Sequence, residues 1–535
     1  MRREEMLRRI RERREPWDIA VIGGGATGAG VAVDAAARGF DVVLVEAHDF
    51  GKGTSSRSTK LVHGGVRYLE QGNIPLVMSA LKERGLLRQN APHLVHDLAF
   101  VVPNYSWWEA PFYGIGLKLY DLLAGKYGFG ASKLLSKEET LERLPGLEPE
   151  ELRGGVVYYD GQFDDSRLLI HLMMTAADHG ATVANYCRAT DLLRDEEGYV
   201  NGLTARDEEH GEDFTISARI VVNATGVFTD EVRRMADATV DPLMVTSQGI
   251  HLVFDRSFLK SDTALMVPRT SDGRVLFVIP WHDHAVAGTT DTPVDAPSLE
   301  PKALDEEIDF ILETAGRYLS RPPTRNDVLA VYVGLRPLVK ATGEGKTSAI
   351  SRDHVIHVDN SGLLTITGGK WTTYRHMAED TVDHAITLGR LRDEACPTKN
   401  LKIHGYLECA EPIECREDPL AVYGADAEKI RALAADPESP DLAERLYPAL
   451  PYIGAEVVWA TREEMARSVE DVLARRTRAL FLNAQAAMQM ARPVARLMAR
   501  ELGQDDAWRA AQTRAFCELA KQYTVYNSSP TGERG

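Results

Sequence analysis

A glycine-rich turn near the start of the chain, GGGATG at residues 23–28, limits the fold more than any other feature. The turn contains the pattern G-x-G-x-x-G, follows the apolar run DIAVIG and precedes the alanine-rich stretch ATGAGVAVDAAARG. A second apolar run, DVVLVE, ends at Glu46. This order predicts a strand, a helix that stops near Gly39 and a second strand, which together form a βαβ unit.

The spacing of the glycines in this unit is typical of a dinucleotide site. Gly23 permits the tight turn, Gly25 lets the backbone approach a pyrophosphate, and Gly28 lets helix and strand pack closely. Free amides at the helix N-terminus then hold the phosphates. Glu46 can accept hydrogen bonds from ribose hydroxyls, and its charge repels a 2′-phosphate. The alternative is a βαβ unit that binds no nucleotide.

The rest of the chain separates NAD from FAD. An NAD enzyme usually completes a doubly wound sheet soon after the fingerprint, but this chain continues into GTSSRSTKLVHGG. Two later strands end in NATG and TGGKWTTYR, where small residues let the backbone lie against a ligand. A large cofactor held by distant segments favours FAD. The predicted cofactor-binding residues are Gly23, Gly25, Gly28, Glu46, Thr54, Ser55, Ser56, His63, Gly64, Gly65, Ala224, Gly226, Gly368 and Gly369.

The hydrophobic pattern divides the chain into three parts. Strand-like runs without long helices between residues 243 and 337 predict an antiparallel layer. Beyond about residue 400, the runs EEMARSVEDVLARR, AQAAMQMARPVARLMARELG and AWRAAQTRAFCELAKQY have helical periodicity. The predicted domains are a charged N-terminal arm at 1–16, an FAD-dependent oxidoreductase core at 17–400 and a C-terminal helical domain at 401–535. Within the core, the FAD-binding part is mainly 17–95, 155–240 and 345–395, and the substrate part is mainly 96–154 and 241–344.

Composition narrows the function classes. The 535 residues carry a formal net charge of −17, which argues against a nucleic-acid partner, and any anionic ligand needs a local cationic pocket. The five cysteines are widely spaced without a C-x-x-C pair, which favours reduced thiols in a cytoplasmic compartment. We expect no metal site. A cluster of Cys396, Cys409, Cys415 and His404 is the alternative, but its spacing fits no common zinc module.

Two segments bear on membranes, although no apolar run is long enough to span one and the N-terminus lacks a signal peptide. The start, MRREEMLRRIRERRE, predicts a solvated, fraying helix or a basic arm on an anionic membrane face. The segment NYSWWEAPFYGIGLKLYDLLAG at 104–125 is rich in Trp and Tyr, which favour the membrane interface. It is either a patch that dips into the bilayer or a core or dimer contact.

Seven motifs carry a family resemblance, in this order between about residues 17 and 395: GGGATGAGVAVDAAARG, GTSSRSTKLVHGGVRYLE, VVNATG, FVIPW, GTTDTP, GLRPL and GGKWTTYR. Together they resemble the FAD-dependent, quinone-linked glycerol-3-phosphate dehydrogenases of the aerobic type. The later run EEMARSVEDVLARRTRALFLN resembles that family's helical cap. The resemblance implies an α/β fold with a Rossmann-like FAD-binding domain of the amino-acid-oxidase type, an antiparallel-sheet substrate domain and a C-terminal helical cap domain.

The resemblance also implies the reaction. The family oxidises sn-glycerol 3-phosphate to dihydroxyacetone phosphate by hydride transfer from C2 to flavin N5, and passes the electrons to a membrane quinone at the inner face of the cell membrane. A dianionic phosphate needs a cationic cage, and the planar fork of arginine matches its oxygens. By resemblance, the substrate-binding residues are Arg67, Tyr68, Arg336, Arg352 and Lys370. Structural salt bridges are the alternative role for each of the four cations.

Oxidation of the alcohol also requires that its hydroxyl proton be removed. His63 is the first candidate base because histidine titrates near working pH. Arg336 or Lys370 could stabilise the developing alkoxide, so we count His63, Arg336 and Lys370 as the predicted catalytic residues. His282 and His284 are weaker candidates for the base.

Several alternatives stay open. The chain could be a glycerol-3-phosphate oxidase that uses O₂, or an amine oxidase of the same fold. An amine substrate carries a carboxylate that one arginine can bind, whereas several cations favour phosphate. A flavin-binding protein without turnover is a third alternative. The cysteine-rich module of the anaerobic type is absent from the sequence pattern. A homodimer also stays open.

Overall fold

The computed structural model describes residues 1–66, 69, 72–107, 109–270, 273–340, 354–408 and 418–525. The described strands are β1 Trp17–Ile22, β2 Val42–Val45, β3 Leu61–Val62, β4 Val95–Asn104, β5 Lys133–Leu135, β6 Gly154–Phe163, β7 Thr182–Ala184, β8 Cys187–Arg194, β9 Val200–Asp207, β10 Glu212–Asn223, β11 Met244–Asp255, β12 Ala264–Val267, β13 Leu276–Trp281, β14 His284–Gly288, β15 Thr292–Val294, β16 Val328–Val339, β17 His354–Val358 and β18 Leu364–Gly368.

The described α-helices are short to medium in length and occur in both halves of the chain. They are Arg3–Glu12, Ala26–Ala37, Ile74–Asn90, Glu109–Ala124, Lys137–Arg143, Asp165–Asp178, Thr229–Ala236, Asp305–Gly316, Tyr374–Leu388, Ala427–Ala434, Gly454–Glu463, Ala479–Leu482, Ala484–Leu502 and Asp506–Ala520.

The first sheet is built around the predicted βαβ unit. Its strand order is β17-β18-β10-β1-β2-β7, and β8 and β9 extend it beside β10. β1, β2, β7, β10 and β18 run parallel, and the pairs of Ile19 with Val42 and with Ile220 set their register. Because parallel strands are covered on both faces, they read as continuous apolar runs, as DIAVIG and DVVLVE do. The carboxyl ends of these strands therefore meet at one edge.

The second sheet carries the antiparallel layer that the sequence predicts. Its order is β15-β11-β14-β13-β12-β4-β6-β3, with β16 paired to β11 and β5 paired to β6. All its described pairings are antiparallel except that of β12 with β4. The long β11–β16 pairing joins Gly249 to Gly334 and Ser247 to Arg336. It therefore brings the motif GLRPL beside the strand GIHLVF.

Helices dominate the chain after residue 418, where their buried faces include Val458, Leu480 and Val494. The exact domain boundaries stay predictions. The helical periodicity of EEMARSVEDVLARR does not produce one continuous helix, because the helix ends at Glu463 and Asp471–Arg476 forms a separate π-helical turn. The buried side chains of Arg475 and Arg476 at the end of this turn bind Asp49, in the first half of the chain.

The N-terminal segment also differs from its expectation. Helix Arg3–Glu12 packs on the protein, with Met6, Leu7 and Ile10 buried. Arg3 is buried as well, and its guanidinium lies 2.7 Å from the carboxylate of Asp207. The expectation of a solvated arm is therefore wrong, because the apolar residues at helical spacing cover the edge of the first sheet.

Candidate active site

A cavity of about 760 Å³ opens at the edge of the first sheet where β1, β2, β10 and β18 end. Ligands of open α/β sheets bind at this edge, and the volume suits a large cofactor. The predicted cofactor residues that line it are Gly23, Gly25, Glu46, Thr54, Ser55, Ala224, Gly226, Gly368 and Gly369. Of the other predicted cofactor residues, Gly28, Ser56, His63, Gly64 and Gly65 are not among its described lining residues.

The glycine turn has the geometry that its spacing predicts. Gly23 has a φ of +112°, and a Cβ atom there would lie 2.7 Å from the carbonyl oxygen of Ala224. A Cβ at Gly28 would lie 1.9 Å from the carbonyl oxygen of Gly23. Gly25 is the N-cap residue of helix Ala26–Ala37, which begins at the cavity. The N-terminal end of this helix therefore borders the cavity.

Glu46 follows β2 and lines the same cavity. Its carboxylate accepts hydrogen bonds from the backbone N–H of Gly24 at 2.6 Å and of His48 at 2.8 Å. Burial raises the pKa of the carboxyl group, while these two N–H groups lower it. Two backbone N–H groups thus fix the acidic side chain at the edge of the cavity.

A short turn, Thr54–Ser56, lies between the cavity and the second sheet. The hydroxyl of its first residue donates to the carbonyl of Leu335 at 2.7 Å. The hydroxyl of Ser55 accepts from the N–H of Ala26 at 2.9 Å, and its carbonyl accepts from the indole of Trp371 at 2.8 Å. One turn is therefore bound to β16, to helix Ala26–Ala37 and to the segment after β18.

Two more segments complete the wall of the cavity. Ala224 and Gly226 follow β10, and Gly226 has a φ of +60°. Gly368 ends β18 and Gly369 follows it, with φ values of +77° and +69°. A Cβ at Gly369 would lie 2.4 Å from the sulfur of Met377. These left-handed backbones favour glycine, and they leave the chain bare where it borders the cavity.

Gly64 is required by packing, a reason that the sequence does not reveal. Its N–H donates to the hydroxyl of Tyr120 at 2.8 Å, and a Cβ there would lie 2.6 Å from that hydroxyl and from Leu81. Tyr120 in turn donates to Asp160 at 2.7 Å. Gly65 has a φ of +78°. The double glycine thus fits the backbone against helix Glu109–Ala124, which carries Tyr120 on its inner face.

Arg336, on β16, is held on the second sheet by several hydrogen-bond acceptors. It donates to the carbonyls of Gln248 at 3.1 Å and Thr290 at 2.7 Å, and to the carboxylate of Asp291 at 3.1 Å. Gly249 leaves the space for it, since a Cβ there would lie 2.4 Å from the guanidinium. The side chain stays 30% exposed, so the positive charge faces an open region.

The predicted catalytic residues surround the same turn. Arg336 and Lys370 are each next in sequence to a residue that hydrogen-bonds to Thr54–Ser56. Lys370 itself lines the cavity. The N–H of His63 donates to the hydroxyl of Thr372 at 3.2 Å. The fold therefore links these three distant motifs to segments that border the cavity, although only Lys370 is a described lining residue.

His251 is a candidate that the sequence reasoning missed. It is buried on β11, its ring is stacked on Tyr332 at 4.8 Å, and its Nε2 lies 2.9 Å from the hydroxyl of Thr59. Burial, and then the charges of Lys60 and Arg336, lower its pKa well below the usual value and keep the ring neutral. The signal was present, because a histidine interrupts the apolar strand GIHLVF.

The weaker histidine candidates lie at the β13–β14 turn. His282 Nε2 is 2.9 Å from the carboxylate of Asp164, and His284 Nδ1 is 2.7 Å from the carbonyl of His282. Neither is among the described lining residues of the cavity. Three of the predicted substrate residues, Arg67, Tyr68 and Arg352, lie outside the described residues.

The residues of the alternative metal cluster have other partners. Cys396 donates to Asp34 at 2.8 Å. His404 lies between Asp178 at 2.6 Å and Asp426 at 2.7 Å, and these carboxylates raise its pKa to about 9 against the opposing effect of burial. No group of three or more ligand-type side chains suited to a metal occurs in the described part of the chain. Cys409 and Cys415 lie outside the described residues.

Helix Glu109–Ala124 and Trp107, two positions before it, present apolar side chains to solvent. We define the apolar face as Trp107, Phe112, Ile115, Leu119 and Leu122, which are 41% to 78% exposed. The opposite side of the helix is buried through Leu117 and Tyr120. The neighbouring helix Ile74–Asn90 adds exposed Ile74 and Met78. Within the described residues, no helix is long and apolar enough to cross a membrane.

Sequence comparison gives matches over most of the chain. Residues 18–375 match the family described as FAD dependent oxidoreductase, and residues 367–509 match the C-terminal domain of alpha-glycerophosphate oxidase. The chain is 42% identical to a probable mitochondrial glycerol-3-phosphate dehydrogenase of Caenorhabditis elegans over 95% of this chain and 73% of that protein. It is 40% identical to a mitochondrial glycerol-3-phosphate dehydrogenase of Arabidopsis thaliana over 95% and 86%.

Structural comparison agrees. The crystal structure of the glycerol-3-phosphate dehydrogenase from Bacillus halodurans complexed with FAD matches with a TM-score of 0.79 and 31% identity. The match covers 100% of this chain and 99% of that chain. Together with the two family matches, it confirms the predicted fold class.

Proposed function

Because the chain belongs to the family of FAD-dependent glycerol-3-phosphate dehydrogenases, we propose that it oxidises sn-glycerol 3-phosphate to dihydroxyacetone phosphate. The observation that carries this proposal is that Arg336 and Lys370 are each next in sequence to a residue that hydrogen-bonds to the turn bordering the cofactor cavity. In a protein with a net charge of −17, a phosphorylated substrate needs such a local concentration of positive charge.

The cofactor is FAD, and the residues of the cavity fit it. A Cβ at Gly23 would occupy the space where the turn closes, and the N-terminus of helix Ala26–Ala37 offers amides for a pyrophosphate. Glu46 would hold the ribose, and the bare backbone at Gly368 and Gly369 would border the ring system. When bound, FAD supplies the two-electron chemistry by accepting a hydride from C2 of the substrate at its N5 atom.

The protein's own part is to bind the substrate and to remove a proton. Arg336 and Lys370 would bind the phosphate or stabilise the developing alkoxide, together with Arg67 and Arg352. Tyr68 would also contact the substrate. The list of substrate-binding residues therefore remains Arg67, Tyr68, Arg336, Arg352 and Lys370.

Two histidines compete for the role of base. His63, the sequence candidate, is attached through its N–H to Thr372, two positions after Lys370. His251 lies near Arg336, but burial lowers its pKa well below the usual value, which weakens it as a base. Among the described residues, its Nδ1 has no hydrogen-bond partner. Substitution of each by glutamine separates them, because loss of the base lowers kcat by about 100-fold or more.

We further propose that the electrons pass to a membrane quinone and that the apolar face seats the protein on the inner face of the cell membrane. Support comes from the aromatic residues of that face and from Tyr120 on the same helix, which binds Gly64 in the predicted flavin segment. A quinone held by the bilayer would thus reach the protein close to the cofactor. Homodimer formation through this face is the competing assignment.

One anaerobic experiment tests the reaction and its alternatives. Glycerol 3-phosphate, sarcosine or a D-amino acid is added to the holoprotein without oxygen, and the flavin absorbance near 450 nm is followed. Bleaching by glycerol 3-phosphate alone is the expected result. Bleaching by an amine, or by no substrate, would contradict the proposal. A quinone analogue or air is then added, and faster reoxidation by the quinone is expected for a dehydrogenase rather than an oxidase.

A further inference from the structure

Three buried charged side chains meet behind the turn Thr54–Ser56. Lys60 and Asp165 are fully buried, and Arg478 is 2% exposed. The ammonium group of Lys60 lies 2.6 Å from one oxygen of Asp165, and the guanidinium of Arg478 lies 3.0 Å from the other. We call these three side chains the charged clamp.

Both cations of the clamp bind the same backbone atom. Lys60 Nζ donates to the carbonyl oxygen of Ser56 at 2.9 Å, and Arg478 donates to it at 2.7 Å. Asp165 accepts two further bonds from Ser58, from its N–H at 2.9 Å and from its hydroxyl at 2.7 Å. The charged clamp therefore fixes the backbone at two of the five positions from 56 to 60, the carbonyl of Ser56 and the N–H of Ser58.

The segment that the clamp holds serves two parts of the site. Upstream, Thr54 and Ser55 line the cofactor cavity. Within it, the hydroxyl of Thr59 lies 2.9 Å from Nε2 of His251. A displacement of this backbone would move both the cavity wall and the hydrogen bond to His251. The clamp thus binds residues of the segment whose other residues line the cofactor cavity and contact a candidate base.

Arg478 comes from the C-terminal helical part, far away in the sequence. It follows the π-helical turn Asp471–Arg476 and has a φ of +66°, which is unfavourable for a residue with a Cβ atom. A bond to the carbonyl of Ala474 at 2.8 Å orients its guanidinium. The fold therefore accepts backbone strain in order to deliver this positive charge to the turn.

The surroundings of the clamp are aromatic. The ammonium group of Lys60 lies 5.2 Å from the ring of Trp281, 4.9 Å from that of Tyr332 and 5.6 Å from that of Phe481. Desolvation of charges in such a place is costly, and apolar residues of similar volume often stabilise a protein equally well. A gain in stability is therefore a weak explanation for three buried charges at this place. Fixing the position of the Ser56 carbonyl oxygen explains them better.

We propose that Lys60, Asp165 and Arg478 are positioning residues for the oxidation, and that through Arg478 the C-terminal helical part holds the turn Thr54–Ser56 in the geometry that binds FAD. This inference rests on the proposed FAD-dependent function. The three side chains contact neither cofactor nor substrate in this scheme, since they act through the Ser56 carbonyl and the Thr59 hydroxyl.

The charge of Lys60 gives the proposal a pH signature. Burial lowers its pKa to about 7, while Asp165 raises it and Arg478 lowers it further. As pH rises through this value, Lys60 loses its proton and holds the Ser56 carbonyl less strongly. Binding of FAD should therefore weaken above pH 7. The titratable or charged groups that face Lys60 from the packed elements are Asp164, Asp165, His251, Tyr332 and Arg478.

The test is titration of the apoprotein with FAD by flavin fluorescence between pH 6 and pH 9. Lys60→Met should raise the Kd for FAD about tenfold at pH 6. It should also remove the rise of this Kd that the wild type shows above pH 7. Lys60→Arg stays charged, so its Kd should remain low and constant up to pH 9. Arg478→Met should weaken binding, and the double variant should lose less than the product of the two single losses, because both cations bind one carbonyl.

Arg38→Met is the matched control, since it breaks another buried pair, Arg38 with Asp34, at the C-terminal end of helix Ala26–Ala37, the end opposite to the one that lines the cavity. It should lower the melting temperature but leave the Kd for FAD and its pH profile unchanged. A Kd for Lys60→Met equal to that of the wild type would overturn the proposal. If Lys60→Met does not fold, the Lys60→Arg variant decides. A Kd for FAD that depends on pH in the same way in Lys60→Arg and in the wild type would also overturn the proposal.

The readout also separates this proposal from the proposed function. A wild-type protein that binds FAD with the expected pH profile but is not reduced by glycerol 3-phosphate supports the clamp and contradicts the substrate. A protein that is reduced, but whose FAD affinity is insensitive to Lys60 and Arg478, contradicts the clamp alone.

Discussion

Gly28 lies in helix Ala26–Ala37, where this helix packs against the glycine turn before it. The packing leaves no room for a side chain at this position. A Cβ there would lie 1.9 Å from the carbonyl oxygen of Gly23, so Gly28→Ala must displace the helix or the phosphate-binding turn. We expect FAD content after purification to fall and stability to drop by about 1–3 kcal/mol. Flavin-to-protein absorbance ratio and thermal unfolding measure both effects. Gly116→Ala is the control, since nothing lies within 4 Å of its Cβ position; equal effects of the two changes would contradict the packing argument.

Arg336 presents a planar fork that lysine cannot reproduce. The guanidinium donates to Thr290 and Asp291, so Arg336→Lys keeps the positive charge but loses these oriented hydrogen bonds. We expect KM for glycerol 3-phosphate to rise about tenfold to a hundredfold, as for the loss of a charged hydrogen bond, with FAD affinity unchanged. Arg325→Lys, which affects an arginine bound to Asp305 at the surface, should leave KM unaltered. An unchanged KM for Arg336→Lys would remove this residue from the substrate site.

At the residue scale, the sequence predicted the geometry of Gly23 and Gly28, because local spacing alone determines that turn. It did not reveal why Gly64 is a glycine, nor the position of His251. Their reasons are partners such as Tyr120 and Tyr332, which lie far away in the chain and meet them only after folding.

Helix Glu109–Ala124 has two apolar sides, only one of which is buried. Charged substitutions on the exposed side cost the fold little, because those positions are already in solvent. Ile115→Glu with Leu122→Glu should therefore abolish flotation with anionic liposomes while keeping flavin reduction in solution. Leu388→Glu, at an exposed apolar position on another helix, is the control. Unchanged flotation together with conversion of a dimer to a monomer would instead assign the apolar face to self-association.

At the element scale, apolar runs correctly predicted the parallel strands and the antiparallel layer, since period and length are local properties. The π-helical turn Asp471–Arg476 and the packed N-terminal helix were not predicted. Both depend on ion pairs with distant residues, such as Arg476 with Asp49 and Arg3 with Asp207. Helical periodicity indicates that a segment can be helical, but not where buried charges interrupt it.

The two halves of the molecule are joined by buried ion pairs rather than by apolar packing alone. Asp49, next to the cofactor loop, lies 2.5 Å from Arg475 and 2.7 Å from Arg476. Glu470 accepts from Arg475 at 2.8 Å and also binds Lys52, a lining residue of the cavity. Through these ion pairs the C-terminal part anchors the loop beside the cofactor cavity, while none of its described residues lines the cavity itself. No local feature of the sequence could indicate this connection.

This junction makes the whole molecule sensitive to acid. Burial alone would raise the pKa of Glu470, but Arg475 and Lys52 lower it to about 2, compared with an ordinary value of 4.5. A carboxyl group whose folded pKa is depressed contributes stability that is full above the unfolded pKa and is lost as pH falls toward the folded one. Between pH 5 and pH 2 the wild type should lose on the order of 3 kcal/mol through this group.

Glu470→Gln has no titrating group at this position. Its unfolding midpoint in urea should therefore be lower than that of the wild type at pH 6 and should decrease less than that of the wild type between pH 5 and pH 2. Glu518→Gln, which breaks the exposed pair with Lys521, should follow the wild type, because solvent screens such pairs. Parallel curves for Glu470→Gln and the wild type would show that the junction does not govern the acid response. A flatter curve that coincides with retention of FAD at low pH would show that the same ion pairs hold both the C-terminal part and the cofactor loop.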